Sequence, residues 1–181
     1  MEEPEVPTEH LHEEMQEHAL KSRGWIMRVA LSSAITAALA AVASLKAGHT
    51  ANEAMIAQIE SANRWNFFQA KSIKASQLNS KRDILAALGK PAEPKDLAKV
   101  EEYQHEQEEI KNEAEALAKE SRSFLREHMT FSHSVTFFQV SIAISAMSVL
   151  ARRKALWTVS LAFGGTGLVF FIWGIVRAIH Q

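Results

Sequence analysis

The chain has 181 residues, a formal net charge of −1 and no cysteine, and its longest basic run is the three residues Arg152–Lys154. This charge balance argues against a nucleic-acid-binding surface, and the lack of cysteine excludes disulfides, thiolate nucleophiles and cysteine metal ligands. Three stretches of about twenty residues, the length that crosses a bilayer core as a helix, are nearly free of charge. The chain is therefore predicted to be an all-α integral membrane protein with three transmembrane helices.

Residues 1–24 form an acidic arm that contains histidine, and Thr8 is predicted to cap a short helix within it. On that helix His10, Glu14 and His18 share one face at four-residue spacing. This geometry could chelate a divalent metal. The alternative is a solvated polar face, which the glutamate-rich surroundings and the lack of supporting ligand partners favour.

Residues 25–47 are predicted to form the first transmembrane helix. Ser33, Ala37 and Ala41 recur there at four-residue spacing. Rows of small residues let helix backbones approach closely inside lipid, so this row is a candidate interaction face. The alternative is that alanine is simply common in weakly apolar helices.

Residues 48–132 are predicted to form a long antiparallel helical hairpin outside the membrane, because Gly89 and Pro91 mark a helix stop and a new start. No proline or glycine follows from Lys95 to Phe163, so the second arm of the hairpin is expected to continue into the second membrane helix as one helix. Steps of four and three predict a coiled-coil seam along it. The seam comprises Tyr103, Gln107, Ile110, Ala114, Leu117, Ser121, Phe124, His128 and Phe131, and it continues through Val135, Phe138, Ile142, Ser145 and Val149.

Charge favours folding the two arms back on each other. The first arm carries Lys71, Lys74, Lys81 and Arg82, and the second is acidic from Glu101 to Glu113. With a turn centred near Pro91, the numbers of facing residues are expected to add up to roughly 183. Exposed pairs contribute only ~0–1 kcal/mol each, so they orient the arms without holding them together.

Three aromatic residues, Trp65, Phe67 and Phe68, lie close together on the first arm. A two-helix hairpin cannot enclose all three, so their remaining exposed surface is predicted to pack against another copy or another protein. The same contact is predicted for Phe124. The alternative is that they form the local core of the hairpin.

Residues 133–151 and 155–177 are predicted to be the second and third transmembrane helices, joined by the basic turn. Gly164, Gly165 and Gly167 lie among apolar residues of the third helix. They are interpreted as a close-packing face or a local kink and not as a phosphate loop.

Basic residues near the membrane ends predict the orientation. Lys21, Arg23, Arg28 and the basic turn lie on one side, whereas Lys46 and Arg177 lie on the other. The positive-inside rule then places the N-terminus in the cytoplasm and the hairpin and C-terminus outside, in the periplasm of a Gram-negative cell.

This topology brings four histidines to one level, near the outer interface: His49, His128, His133 and His180. Neutral imidazole is the commonest protein metal ligand, so these residues are a candidate metal site. The alternative, which we favour, is that each ring meets only water or lipid, since a shared depth does not fix lateral distances.

Several segments of the chain resemble a family of bacterial inner-membrane proteins known by a domain-of-unknown-function label, number 4337. The segments are VPTEHLHEEM, WIMRVALSS, KAGHTANEA, RWNFFQAKSIK, LAALGK, VTFFQVSIAIS and ARRKALW. The resemblance implies a multi-pass protein of the bacterial inner membrane. It implies no activity, cofactor or catalytic residue.

Catalytic signatures such as a phosphate loop, a nucleophile elbow or a paired-histidine zinc helix are not found in the sequence. We therefore expect no enzyme and no cofactor. The predicted function is a membrane-anchored scaffold or accessory subunit that self-associates or docks onto a membrane complex, with the lipid bilayer as its other partner. The alternatives are an oligomeric channel or transport component and a metal-binding or redox accessory protein.

Overall fold

The computed structural model describes the backbone of residues 8–179 and the side chains of residues 24–179. That part of the chain is all-helical, with α1 at Thr8–Ala87, α2 at Pro94–Leu150 and α3 at Lys154–Ile179. Each of the three helices contains a stretch that is long and apolar enough to cross a membrane. The predicted all-α class with three such stretches is confirmed.

The helices divide into two compact units. The first, here called the apolar unit, combines the chain up to Ala47 with the chain from Met129 onward, and the second, the hairpin unit, is Gly48–His128. Helices α1 and α2 each contribute residues to both units without interruption. The predicted continuity of α2 beyond the hairpin is therefore confirmed.

Helix α1 stops just before Gly89, as predicted, and the chain reverses direction there. Gly89 has a φ of 67°, the left-handed conformation that costs glycine least. Its N–H donates to the Ala86 carbonyl at 3.0 Å and the Lys90 N–H donates to the Leu85 carbonyl at 2.9 Å. These two bonds form a Schellman motif, which satisfies carbonyls that the end of α1 would otherwise leave unpaired.

The register of the hairpin differs from the predicted one. The hydrogen bonds and ion pairs between α1 and α2 join Ser61 with Ala114, Ser121 with Ala54, Arg64 with Glu113, Lys71 with Glu106, and Lys81 with Asp96. Their residue numbers add up to between 175 and 177, and not to 183. The reason is that the chain already reverses at Leu88 and Gly89, so Glu93, 3.1 Å from Lys81, lies on the returning side before α2 begins.

Small residues of α1 form its contact with α2. Thr50, Ala54, Ala57 and Ser61 are all buried at steps of four and three. Two hydroxyls bridge the helices reciprocally, since Ser61 donates to the Ala114 carbonyl at 2.8 Å and Ser121 donates to the Ala54 carbonyl at 2.7 Å. A side chain as short as serine reaches the opposite backbone only where the two helices lie close together.

On α2, all nine predicted seam residues from Tyr103 to Phe131 are buried or half-buried. Farther along, the predicted Phe138 and Ser145 are buried, whereas the predicted Val135, Ile142 and Val149 are only half-buried and the residues just before them, Ser134, Ser141 and Ser148, are buried. One of the two rows of the seam is therefore as predicted, and the other lies one residue earlier, at serines.

In the apolar unit, glycines of α3 accommodate phenylalanines of α2. A Cβ at Gly167 would lie 2.8 Å from the Phe138 ring, and one at Gly174 would lie 2.8 Å from the Phe131 ring. Both rings are 1% exposed. The predicted close packing is therefore confirmed at Gly167, whereas Gly165 has open space around it.

Serine hydroxyls also bridge the helices of the apolar unit. Ser134 donates to the Gly167 carbonyl at 2.8 Å and Ser141 donates to the Ser160 carbonyl at 2.7 Å. Helix α1 joins them because the Trp157 indole N–H donates to the Ser32 hydroxyl at 3.2 Å. The unit is thus held by close backbone approach and by polar side chains that bond across helices, as membrane helices commonly are.

We expect Gly167→Ala to destabilise the apolar unit by about 1–3 kcal/mol, because the added methyl group overpacks the buried Phe138 ring. Gly165→Ala is the matched control, since nothing lies within 4 Å of its added Cβ, and it should be neutral or slightly stabilising. Thermal unfolding of the two variants in mild detergent measures the difference. Equal melting temperatures would contradict the close packing.

A second substitution tests the hairpin contact. Ala114 is 0% exposed against α1, so Ala114→Leu should force the helices apart and destabilise the hairpin by about 1–3 kcal/mol. Ala116→Leu, at an exposed position two residues away, should change stability by less than about 0.5 kcal/mol. Limited proteolysis in detergent reports the population of the open hairpin, and only the first variant should be cleaved faster.

Candidate interaction surfaces

The face of α1 that points away from α2 carries large apolar side chains. Met55, Ile56, Ile59, Phe67 and Ile73 are each at least half exposed. From Thr50 to Ser61 small residues occupy the contact with α2, and the bulky residues of that part of the helix lie on its other side. The hairpin unit therefore exposes the kind of surface that proteins usually cover.

Ile56, Ile59 and Ile73 belong to a regular row, here called the α1 outer row. Its members recur at alternating steps of four and three, carry no charge, and are all exposed: Asn52, Ile56, Ile59, Asn63, Asn66, Ala70, Ile73, Gln77, Ser80, Ile84 and Ala87. A shallow groove of about 480 Å³, lined by α1 alone, runs past Ile73, Gln77 and Ile84. Sequence reasoning missed this row, although its spacing and its lack of charge are visible in the sequence.

The equivalent outward row of α2 is different in character. It contains four charged residues and a histidine among eight positions: Glu102, His105, Glu109, Asn112, Ala116, Lys119, Ser123 and Arg126. Such a row is typical of a helix face in water. Of the two outward faces of the hairpin, that of α1 is the candidate interaction surface.

The predicted aromatic residues are only partly enclosed. Phe68 is half-buried and meets Trp65 edge to face at 5.5 Å, whereas Phe67 is 55% exposed. Phe67 borders a groove of about 650 Å³ between the two arms, which the Arg64–Glu113 ion pair also lines. The hairpin thus does not enclose all three aromatic residues, while Phe124 is half-buried in the seam.

Ion pairs link the two arms at several levels. Lys81 lies 2.7 Å from Asp96 and 3.1 Å from Glu93, and its hydrogen bonds to these carboxylates raise the pKa of its ammonium above the ordinary 10.5. The Lys81 ammonium is therefore charged at neutral pH, and its contribution to the pairs is lost as pH rises through that raised pKa. Since these side chains are solvent-accessible, they orient the arms more than they stabilise them.

The small-residue row predicted on the first apolar stretch is not the row that packs within the chain. Ser33 is half-buried and Ala37 and Ala41 are exposed, whereas the neighbouring Val29 and Ala43 are buried. Close helix approach at the predicted row stays a prediction for contacts with another chain.

The predicted metal ligands are not assembled in the described structure. Among residues 24–179, no group of three or more His, Asp and Glu side chains could hold a metal ion. His49 lies 3.9 Å from Glu53 and the His133 ring lies 5.8 Å from that of Phe170, while His128 is half-buried. His180 and the side chains of His10, Glu14 and His18 fall outside the described part, so both metal hypotheses stay predictions.

Comparisons with curated proteins and with solved structures find no match to this chain. A family model described as "Domain of unknown function (DUF4337)" matches residues 25–177. The match spans all three apolar stretches and the whole hairpin unit, and it confirms the resemblance inferred from the sequence. The chain therefore belongs to the DUF4337 family.

Proposed function

We propose that this protein is a membrane-anchored scaffold, whose apolar unit lies in the bilayer and whose hairpin unit assembles with itself or with a membrane complex. The observation that carries the proposal is the α1 outer row. It provides a long, uncharged and exposed helix face on the unit that is otherwise rich in charge.

The outward surface of the apolar unit supports the membrane anchor. The most apolar windows of the three helices have mean hydropathies of 1.8, 1.4 and 2.0, yet only 17–28% of each window is buried inside the chain. Met27, Leu31, Leu45 and Val169 are each more than 60% exposed. An aqueous environment would penalise so much apolar surface, whereas the hydrocarbon core of a bilayer favours it.

The distribution of basic residues supports an orientation for the anchor. The Arg152–Lys154 turn between α2 and α3 is a compact positive end of the apolar unit, and Arg152 holds a φ of 53° there. We place this turn and the N-terminus in the bacterial cytoplasm, and the hairpin unit and the C-terminus outside the inner membrane.

Reporter fusions in a bacterial host test this orientation. A reporter joined at Gly89 should behave as external, with high alkaline phosphatase activity and no green fluorescence. The reason is that few basic residues border the apolar stretches on that side of the membrane. One joined between Arg153 and Lys154 should behave as cytoplasmic. The opposite pattern would refute the orientation and leave the three membrane crossings intact.

Assembly through the hairpin unit has its own test. Chemical crosslinking in native membranes should trap a homo-oligomer or one defined partner protein, and Ile59→Glu with Ile73→Glu should reduce the product several-fold, since charges would then interrupt the outer row. Both side chains are more than half exposed, so the fold should tolerate the change. Asn112→Glu, on the outward row of α2, is the control and should leave the product unchanged. Monomers alone, with no partner at native abundance, would refute the scaffold.

A further inference from the structure

We propose that the α1 outer row packs against the same row of a second copy in the same membrane, with the two helices parallel and in register about a two-fold axis. This inference rests on the proposed scaffold function and specifies its partner and contact surface. Three features lead to it: the continuity of α1, the composition of the row, and the residues that flank the row.

The continuity of α1 sets the direction of packing. The helix runs without interruption from the first apolar stretch to Ala87. Two copies anchored in one bilayer therefore present this helix in the same direction, with equivalent residues at the same distance from the membrane. A two-fold contact between their outer rows then brings each residue of the row against its own equivalent.

The composition of the row suits such pairing. A charged residue that meets its own equivalent is repelled, and the row contains no charge from Asn52 to Ala87. Its polar members are three asparagines, a glutamine and a serine, whose side chains both donate and accept hydrogen bonds and can therefore pair with themselves. The outward row of α2 lacks this property, because Glu109 would meet Glu109 and Lys119 would meet Lys119.

The period of the row is that of a parallel coiled coil. Steps of four and three continue from Asn52 to Ala87, which is about five heptads and exceeds the three to four that indicate a coiled coil. In this repeat Ile56, Asn63, Ala70, Gln77 and Ile84 occupy the a positions. An asparagine at an a position specifies register and oligomeric state at some cost in stability, and Asn63 would do so here.

Two flanks border the row, and parallel packing brings them against each other. At seven-residue steps one flank reads Glu53, Glu60, Phe67, Lys74 and Lys81, and the other reads Met55, Ala62, Gln69, Ser76 and Asp83. Each residue of the second flank faces the residue about five positions further on in the partner helix. No like charges meet in this arrangement, since the second flank carries a single charge at its end.

The flanks also provide a place for an exposed aromatic ring. Phe67 is 55% exposed in the single chain. In the parallel arrangement it lies opposite Ala62 of the second copy, and a small residue there leaves room for the ring. Parallel pairing thus covers apolar surface that the hairpin itself leaves in water.

The membrane anchor contributes to the strength of the contact. Only four of the eleven positions in the row are isoleucines, so the apolar area alone gives a weak contact. Two chains confined to one bilayer are already aligned and concentrated, which lowers the entropic cost of association. The contact is therefore tested with the full chain in native membranes.

Single cysteines test the direction and register, because the chain has no cysteine of its own. Ile56→Cys, Ile59→Cys, Ile73→Cys and Ile84→Cys should each form a disulfide-linked dimer on mild oxidation, since each position meets itself along the whole row. Ala116→Cys on the outward row of α2 is the matched control and should stay monomeric. If Ile59→Cys and Ile73→Cys do not both link two copies, the in-register contact is wrong.

Two cysteines in one chain test the two-fold axis. The double variant Ile59→Cys with Ile73→Cys should give products that stop at two linked chains. Ladders of three or more chains would show a larger ring and overturn the two-fold axis.

Charged substitutions at Asn63 test whether this residue meets its own equivalent. Asn63→Lys alone and Asn63→Glu alone should each lower the crosslinked dimer fraction about three-fold or more, because like charges then face each other. Co-expressed with different tags, the two variants should pair with each other and recover the dimer. The same two substitutions at Asn112 on α2 are the control and should have no effect. Loss of dimer in the single variants without recovery in the mixture would overturn the register.

The outcomes separate this inference from the proposed function. If native membranes yield a homo-oligomer or a defined partner but no cysteine of the row links two copies, the parallel contact is wrong and the scaffold function survives. If only monomers are found, both fail. Disulfides along the whole row, together with recovery of the dimer by the mixed Asn63 variants, would establish the contact.

Discussion

Close approach of helix backbones through small residues is the contact on which the whole structure depends. In the hairpin unit, the Ser61 and Ser121 hydroxyls donate to carbonyls of the opposite helix. In the apolar unit, Ser134 and Ser141 do the same across α2 and α3. Short hydroxyl side chains reach a neighbouring backbone only at small separation, so these bonds and the alanine or glycine contacts beside them require each other. The same kind of serine-to-backbone contact between helices thus occurs in the charge-rich hairpin unit and in the apolar unit.

Packing through small residues also affects which side chains of α1 are exposed. Where alanine, serine and threonine fill the contact, from Thr50 to Ser61, the larger apolar residues of α1 lie outside it. On α1 they follow the same seven-residue period on the opposite side, where Ile59 and Ile73 are more than half exposed. Helix α2 has no such second row, since Glu109 and Lys119 occupy its outward face. The two arms therefore differ in their outward faces: that of α1 is uncharged and partly apolar, and that of α2 is charged.

Much of this architecture could be predicted from the sequence, because charge-free stretches, the Gly89 stop and the α2 seam are local patterns. The α1 contact could not be found by looking for large apolar residues, since its buried members are Ala54, Ala57 and Ser61. The register was wrong by about seven in the sum of facing residue numbers, because a left-handed Gly89 reverses the chain sooner than a turn centred on Pro91 would. The relevant hydrogen bonds are between residues far apart in sequence, and spacing alone does not determine them.

Helix α1 carries two heptad rows, and each row could in principle pack against either α2 or another chain. Residue size determines which of the two rows packs against α2. The row of small residues permits the closest approach, and the Gly89 turn tethers α2 close to it at high effective concentration. The row of larger residues remains exposed to solvent. Its polar members Asn63 and Asn66 make non-specific apolar association less favourable and favour only a partner in the correct register. The row of small residues thus packs within the chain, and the row of larger residues leaves a second face of α1 exposed.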